Sequence, residues 1–181
     1  MPFALFPTPI GECGIAWRGD VVVATHLPEK TAAKTASLLA THTGTSIGKP
    51  TPQIQQAIKL ITSLLEGEKT DLSEVACDLS SCDTFAQRVY EETRAIQVGE
   101  TKTYGEIATR LGDRQLARKV GRVLGQNPIP IIVPCHRVIG ANQKLVGFSA
   151  PGGVDTKLKM LLIEGARFGD TPGLFDGISM H

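Results

Sequence analysis

Thr103-Tyr-Gly-Glu-Ile-Ala-Thr-Arg-Leu111, then Gly112-Asp113, then Arg114-Gln-Leu-Ala-Arg-Lys-Val-Gly-Arg-Val-Leu-Gly125, is the stretch whose reading decides the fold. Thr103 predicts an N-cap, and Glu106 three residues on predicts a capping box, in which each side chain satisfies the other residue's backbone N–H. Gly112 stops that helix. Asp113 predicts the cap of a second helix, Arg114 to Leu124, which stops at Gly125. Two short helices joined by a tight glycine turn form a helix-turn-helix pattern, whose second helix commonly enters a DNA groove. Many helical pairs share the pattern and bind nothing, so the charges carry the next step. Residues 101–125 hold Lys102, Arg110, Arg114, Arg118, Lys119 and Arg122 against Glu106 and Asp113. A basic patch of this density attracts the phosphate polyanion, although a single charge run is more often a solvated helix face.

The net charge of +1 conceals this concentration. Residues 1–80 and 81–100 are each net −2, and residues 101–181 are net +5. With 181 residues, 41% hydrophobic and 20% charged, the chain has the composition of a globular protein long enough for one domain or two small ones sharing a core. No apolar run approaches the roughly 18 residues of a membrane span, and the opening MPFALFPTPIGE lacks the basic and apolar regions of a signal peptide. A cytoplasmic or nucleoid (or nuclear) protein with no membrane partner is therefore expected. Its four cysteines, Cys13, Cys77, Cys82 and Cys135, are expected as reduced thiols. Cys77 and Cys82 are spaced C-x4-C without a second ligand pair, so no metal is expected.

Outward from the central stretch, Glu12–Trp17 and Val21–Thr25 flank Arg18-Gly19-Asp20 and predict a hairpin. Lys30–Leu39 is rich in helix formers. Pro52–Glu66 places Ile54, Ala57, Ile58, Ile61 and Leu65 on one helical face. Asp71–Asp78 reads as a further strand. Asp83 predicts a cap for a helix from Thr84, with Phe85, Val89, Thr93 and Ile96 as its buried stripe and Val98-Gly99-Glu100 at its end. Ile131–Pro134 reads as a short apolar strand delivering Cys135-His136-Arg137. Gly140-Ala-Asn-Gln predicts a turn, Val146–Gly153 a loop, and Asp155–Glu164 a last helix carrying Leu158, Leu161 and Leu162.

Cys135 is a candidate nucleophile, because a thiol reacts as thiolate and needs a base or a positive field beside it. His136 is the adjacent base. Neighbours on an extended strand point to opposite faces, so the two cooperate only where the chain turns between them or a water bridges them. A carboxylate could orient the imidazole as in a hydrolase triad, and Glu164 is the acid nominated.

Val133-Pro-Cys-His-Arg-Val138, preceded by Gly125-Gln-Asn-Pro-Ile-Pro130, closely resembles the active-site segment of the O6-alkylguanine-DNA alkyltransferases, the methylated-DNA–protein-cysteine methyltransferases. The likeness extends from about Thr84 to Gly165 and includes Gly99-Glu-Thr-Lys-Thr-Tyr-Gly-Glu-Ile-Ala108 and Ala117-Arg-Lys-Val-Gly121. Towards the N-terminus it is confined to Thr8-Pro-Ile-Gly11 and the hairpin after it. Pattern and resemblance together imply an α+β fold: a small N-terminal α/β domain (1–80) packed on a mostly helical domain with the helix-turn-helix (81–167), then a tail (168–181). They imply a monomer without a cofactor that flips a damaged base out of duplex DNA and moves its O6-alkyl group irreversibly onto its own cysteine.

By the same resemblance Cys135 accepts the alkyl group, His136 deprotonates it through a water, Glu164 holds the histidine, and Asn127 braces the turn before the active-site segment. Tyr104 crowds the target phosphate and donates a proton towards guanine. Arg118 enters the base stack from the minor groove, with small Ala117 and Gly121 permitting close approach. Lys119, Arg122 and Arg137 complete the DNA-facing set. The carbonyls of Cys135 and Val138 read the guanine amino group, and the loop at Phe148 and Ser149 closes the pocket. That loop is one residue longer than in many relatives, and Phe148 stands where tyrosine is common. The alternative is a regulator or lesion sensor that binds alkylated DNA without repairing it; such relatives commonly carry Trp in place of the cysteine. A cysteine hydrolase and a zinc protein are weaker alternatives.

Overall fold

The computed structural model describes residues 1–44, 46–145 and 152–166. Three antiparallel strands come first: β1 (Phe3–Thr8), β2 (Gly11–Arg18) and β3 (Val21–His26), in that order across the sheet. The predicted hairpin is β2–β3, and Gly19 at φ 59 takes the left-handed turn position open to it without a Cβ penalty. β1 was not anticipated, since Phe3-Ala-Leu-Phe-Pro-Thr8 lacks alternation and is fixed by pairing Phe3–Thr8 against Ala16–Gly11. α1 (Ala32–Thr43) is capped by Thr31 and lies on one face of the sheet, where Leu39 meets Phe3 and Ala16. α2 (Pro52–Leu65) starts with Pro at its first position and a Thr51 cap, and it buries Ile54, Ala57, Ile61, Leu64 and Leu65.

The expected strand over Asp71–Asp78 does not form. Only Cys77 bridges to Val22, with Val22 N–H donating to the Ala76 carbonyl and Asp78 N–H to that of Val22. Arg94 holds the preceding loop by donating to the carbonyls of Leu72, Ser73 and Val75.

α3 (Thr84–Arg94) begins at Asp83, which accepts from Ala86 N–H, and it ends before the expected glycine. β4 (Lys102–Thr103) leads into α4 (Tyr104–Arg110), whose capping box forms as read: Glu106 N–H donates to Thr103 Oγ1 at 3.0 Å, and Thr103 N–H to Glu106 Oε2 at 2.7 Å. The second helix is shorter than expected. Arg114–Leu116 forms a 3-10 turn capped by Asp113, and α5 (Ala117–Gly125) follows. β5 (Val138–Ile139) pairs in parallel with β4, and α6 (Gly153–Ile163) closes the described chain.

The fold is the mixed α and β architecture expected, with a small sheet followed by helices. One apolar cluster runs through both parts, from Phe6, Ile15, Trp17 and Val22 to Ile107, Val120, Val138 and Met160. The β3 edge is stitched to the C-terminal part as well: Thr25 N–H donates to the Pro128 carbonyl at 3.1 Å, and Thr25 Oγ1 donates to that of Pro130 at 2.6 Å. Among the described residues no helix is long and apolar enough to cross a membrane.

Candidate active site

The segment expected to be a strand before Cys135 is instead a tight loop. Val133 N–H donates to the Ile129 carbonyl at 2.9 Å, Pro130 bridges to Val133, and Ile131 takes φ 75. A left-handed β-branched residue is a strained outlier, held only where surrounding contacts over-determine it. Those contacts centre on Asn127, whose Nδ2 donates to the Val133 carbonyl at 2.8 Å while its Oδ1 accepts from Ile129 N–H at 2.9 Å. Val120 and Leu124 anchor α5 in the core, so this amide couples the end of that helix to the segment carrying the thiol.

Cys135–Arg137 is a single 3-10 turn. The turn removes the objection that neighbours on a strand face opposite ways, and all three side chains are buried. Burial pushes the Cys135 thiol up. The Asn127 amide, the Lys157 ammonium and the backbone N–H groups of Cys135 and His136 pull it back only in part. A thiol held high needs a proton acceptor, and His136 Nδ1 is buried without a hydrogen-bond partner among the described residues. The other ring nitrogen is fixed, with Nε2 2.7 Å from Glu164 Oε1.

Glu164, on the last turn beyond α6, joins a three-member charge cluster. Arg137 Nε donates to Oε2 and Nη2 to Oε1, each at 2.9 Å, and Nη1 donates to the Ile96 carbonyl at 2.7 Å. Burial alone raises the Glu164 pKa, but His136 and Arg137 outweigh it and bring the carboxyl down to about 2. The expected DNA contact of Arg137 is corrected here: a 6% exposed guanidinium with both faces of its fork on Glu164 cannot reach phosphate without breaking a buried pair.

Tyr104 lies near Cys135 because Thr103 pairs with Ile139 and Lys102 with Val138 across β4–β5, which sets the start of α4 beside the exit from the Cys135 turn. Burial, then the nearby Cys135, pushes its hydroxyl up to about 12, so the phenol keeps its proton at neutral pH. A Cβ at Gly121 would lie 3.7 Å from the Tyr104 ring, so a longer side chain there would displace the ring.

Lys157 was missed in the sequence. It is fully buried, its Nζ donates to the Val138 carbonyl at 2.5 Å and lies 5.7 Å from the centre of the Tyr104 ring, and burial brings its pKa down to about 8. The signal was present: Lys157, Met160, Leu161 and Glu164 recur at i, i+3, i+4 and i+7, and all four are buried. Of the leucines expected to carry this helix, Leu161 is buried, and Leu158 and Leu162 are half-buried. Val138 is buried, and its carbonyl accepts from Lys157. Phe148, Ser149 and the tail from residue 168 lie outside the described residues.

On the outer face of α5, Arg118, Lys119 and Arg122 are exposed, and Ala117 and Gly121 are half-buried. Lys119 Nζ sits 4.1 Å over the Phe85 ring, a cation–π contact that holds its stem against α3. Cys135 and Tyr104 open onto a cavity of about 640 Å³.

Residues 84–166 match the family described as 6-O-methylguanine DNA methyltransferase, DNA binding domain. A methylated-DNA–protein-cysteine methyltransferase of Mycobacterium tuberculosis is 37% identical over 169 residues, 93% of this chain and 95% of that protein. The protein of the same name from Mycobacterium leprae is 43% identical over 122 residues, 67% of this chain and 71% of its own. The crystal structure of Mycobacterium tuberculosis OGT in complex with DNA superposes with a TM-score of 0.72 at 32% identity, covering 91% of this chain and 93% of that one. A crystal structure of the O6-methylguanine methyltransferase from the same organism gives 0.74 at 35% identity, over 91% and 92%.

Proposed function

The chain belongs to the methylated-DNA–protein-cysteine methyltransferase family, and on that premise we propose that Cys135 is the residue that takes the alkyl group from O6-alkylguanine in duplex DNA. The observation that carries this reading is the buried line from Cys135 through His136 to Glu164, with the imidazole held at 2.7 Å and its Nδ1 left for the thiol's proton. His136 accepts that proton through a bridging water. The thiolate sulfur attacks the alkyl carbon, an S–C bond forms, and the C–O6 bond breaks with its electron pair passing to the base. Tyr104, protonated at neutral pH, gives a proton to the departing guanine and neutralises the charge that develops there. Lys157 holds Tyr104 and favours the thiolate by its charge.

The alkyl carbon of a stacked base is out of the thiolate's line, so the base leaves the helix first, at a cost of a few kcal/mol. Arg118, exposed on α5, enters the vacated stack from the minor groove, and Lys119 and Arg122 neutralise flanking phosphates. The thioether that results has no good leaving group, so one protein is consumed per lesion, and it acts as a monomer. Duplex DNA bearing O6-methylguanine should add one methyl mass to the peptide containing Cys135. An unmodified thiol beside an intact lesion would overturn the assignment and favour a lesion sensor.

A further inference from the structure

The grip of the N-terminal sheet on the loop before Cys135 depends on an irregularity in β3. Backbone N–H groups alternate between the two edges of a strand, so residues three apart ordinarily bond to opposite neighbours. Val22 and Thr25 break that rule. Val22 N–H donates to the Ala76 carbonyl at 2.9 Å and Thr25 N–H to that of Pro128 at 3.1 Å, both on the outer edge of the sheet. The cause is a slip in the β2–β3 register, which pairs Ala16 with Ala24 but Trp17 with Val22 and leaves Val23 as an extra residue. A bulge of this kind re-aims the chain that follows it. Here it brings Thr25, 5% exposed, onto the edge that meets the C-terminal part.

Any residue but proline would supply the N–H at position 25. The hydroxyl is particular to Thr25: Oγ1 donates to the Pro130 carbonyl at 2.6 Å, across 105 residues of sequence. That carbonyl belongs to the peptide unit joining Pro130 to Ile131, and the orientation of that unit is what the φ of Ile131 measures. Ile131 is the left-handed β-branched residue of the loop, and such a conformation relaxes unless its neighbours hold it. Asn127 fastens the other side of the loop through the Val133 carbonyl, which also accepts from Cys135 N–H at 2.8 Å. A rotation at Ile131 is therefore passed to Cys135 through a short, fastened segment. We propose that Thr25 is a positioning residue for alkyl transfer, its hydroxyl locking the Pro130–Ile131 peptide so that the Cys135 sulfur stays on the line of the alkyl carbon. The inference rests on the reading of Cys135 as the alkyl acceptor, and it gives the N-terminal sheet a part in the chemistry beyond holding two halves together.

The test uses the full chain with Thr25→Val, which keeps the shape and the backbone N–H but loses the hydroxyl, and Thr25→Ser, which keeps the hydroxyl. Single-turnover rates on duplex DNA carrying O6-methylguanine are measured against protein concentration, giving a maximal rate and a half-saturating concentration. A misplacement of about 1 Å at a reacting centre costs on the order of 100-fold, and one lost hydrogen bond should move the sulfur by less. Thr25→Val should therefore lower the maximal rate about 10-fold with the half-saturating concentration kept, and slow the reaction with free O6-alkylguanine by the same factor. Thr25→Ser should restore both rates. A wild-type maximal rate in folded Thr25→Val, a loss confined to DNA affinity, or a Thr25→Ser as slow as Thr25→Val would overturn the inference alone. If Thr25→Val does not fold, Thr25→Ala, which also lacks the hydroxyl, takes its place. Loss of folding in both would make Thr25 a structural post and overturn the inference likewise. A wild-type chain that leaves the methyl group on the DNA would overturn the function reading, and this inference with it.

Discussion

At the scale of single residues, Glu164 does two things with one carboxylate: it orients the His136 imidazole and it neutralises the buried Arg137 guanidinium. Its acid strength carries a stability consequence. A carboxyl held at about 2 in the fold and near its ordinary value when unfolded stabilises the protein above the unfolded pKa. That contribution is lost as pH falls from about 4.5 to about 2, and the shift corresponds to roughly 3 kcal/mol. Urea unfolding of the full chain should therefore weaken across this window more steeply than in Glu164→Gln. At neutral pH the same variant should be less stable by about 3–5 kcal/mol, because it leaves a buried cation unpaired. Equal slopes in the two proteins would show that the carboxyl is not held low. The sequence offered Cys135, His136 and Glu164 as candidates and the family resemblance gave them their roles, but it left Arg137 on the DNA side. An arginine is read as exposed unless a partner is visible, and its partner here lies 27 residues away.

Among the elements, those whose signals are local were legible. Asp83, Thr103 and Asp113 cap where they were read to cap, because a cap is decided within four residues. The 129–134 loop was not legible: Ile-Pro-Ile-Ile-Val has the composition of a strand, and only the Asn127 amide and the Val133–Ile129 bond bend it into a turn. β1 and the Val22–Cys77 bridge escaped for the same reason, since each is fixed by a partner outside its own segment. For α5 the exposed Arg118 and the buried Val120 and Leu124 separate a solvent-facing side from a core side. Arg118→Ala should accordingly slow repair in duplex DNA far more than reaction with free O6-alkylguanine, which needs no base flipping. Equal slowing of the two substrates would sink the role in the base stack. Lys119→Ala should weaken DNA binding whatever the sequence and lower its salt dependence by about one counterion, measured as the slope of log affinity against log salt.

For the whole molecule, the question is whether residues 1–80 form a body of their own or a wall of the active-site half. The apolar cluster that holds Trp17 and Val22 also holds Ile107, Val120 and Val138, and Thr25 bonds two carbonyls of the loop before Cys135. A unit of about 80 residues buries a smaller share of its surface than the full chain and is marginal alone. Cutting here would also expose the shared core. We therefore expect one cooperative transition in which the two parts unfold together. The single tryptophan makes this directly measurable, because Trp17 is 2% exposed and belongs to the N-terminal sheet, while α3 to α6 supply much of the far-ultraviolet circular dichroism. Fluorescence and circular dichroism should give coincident urea midpoints. A tryptophan transition that precedes the helical one would show that the sheet detaches while the thiol site persists. The β3 edge would then be a separable attachment.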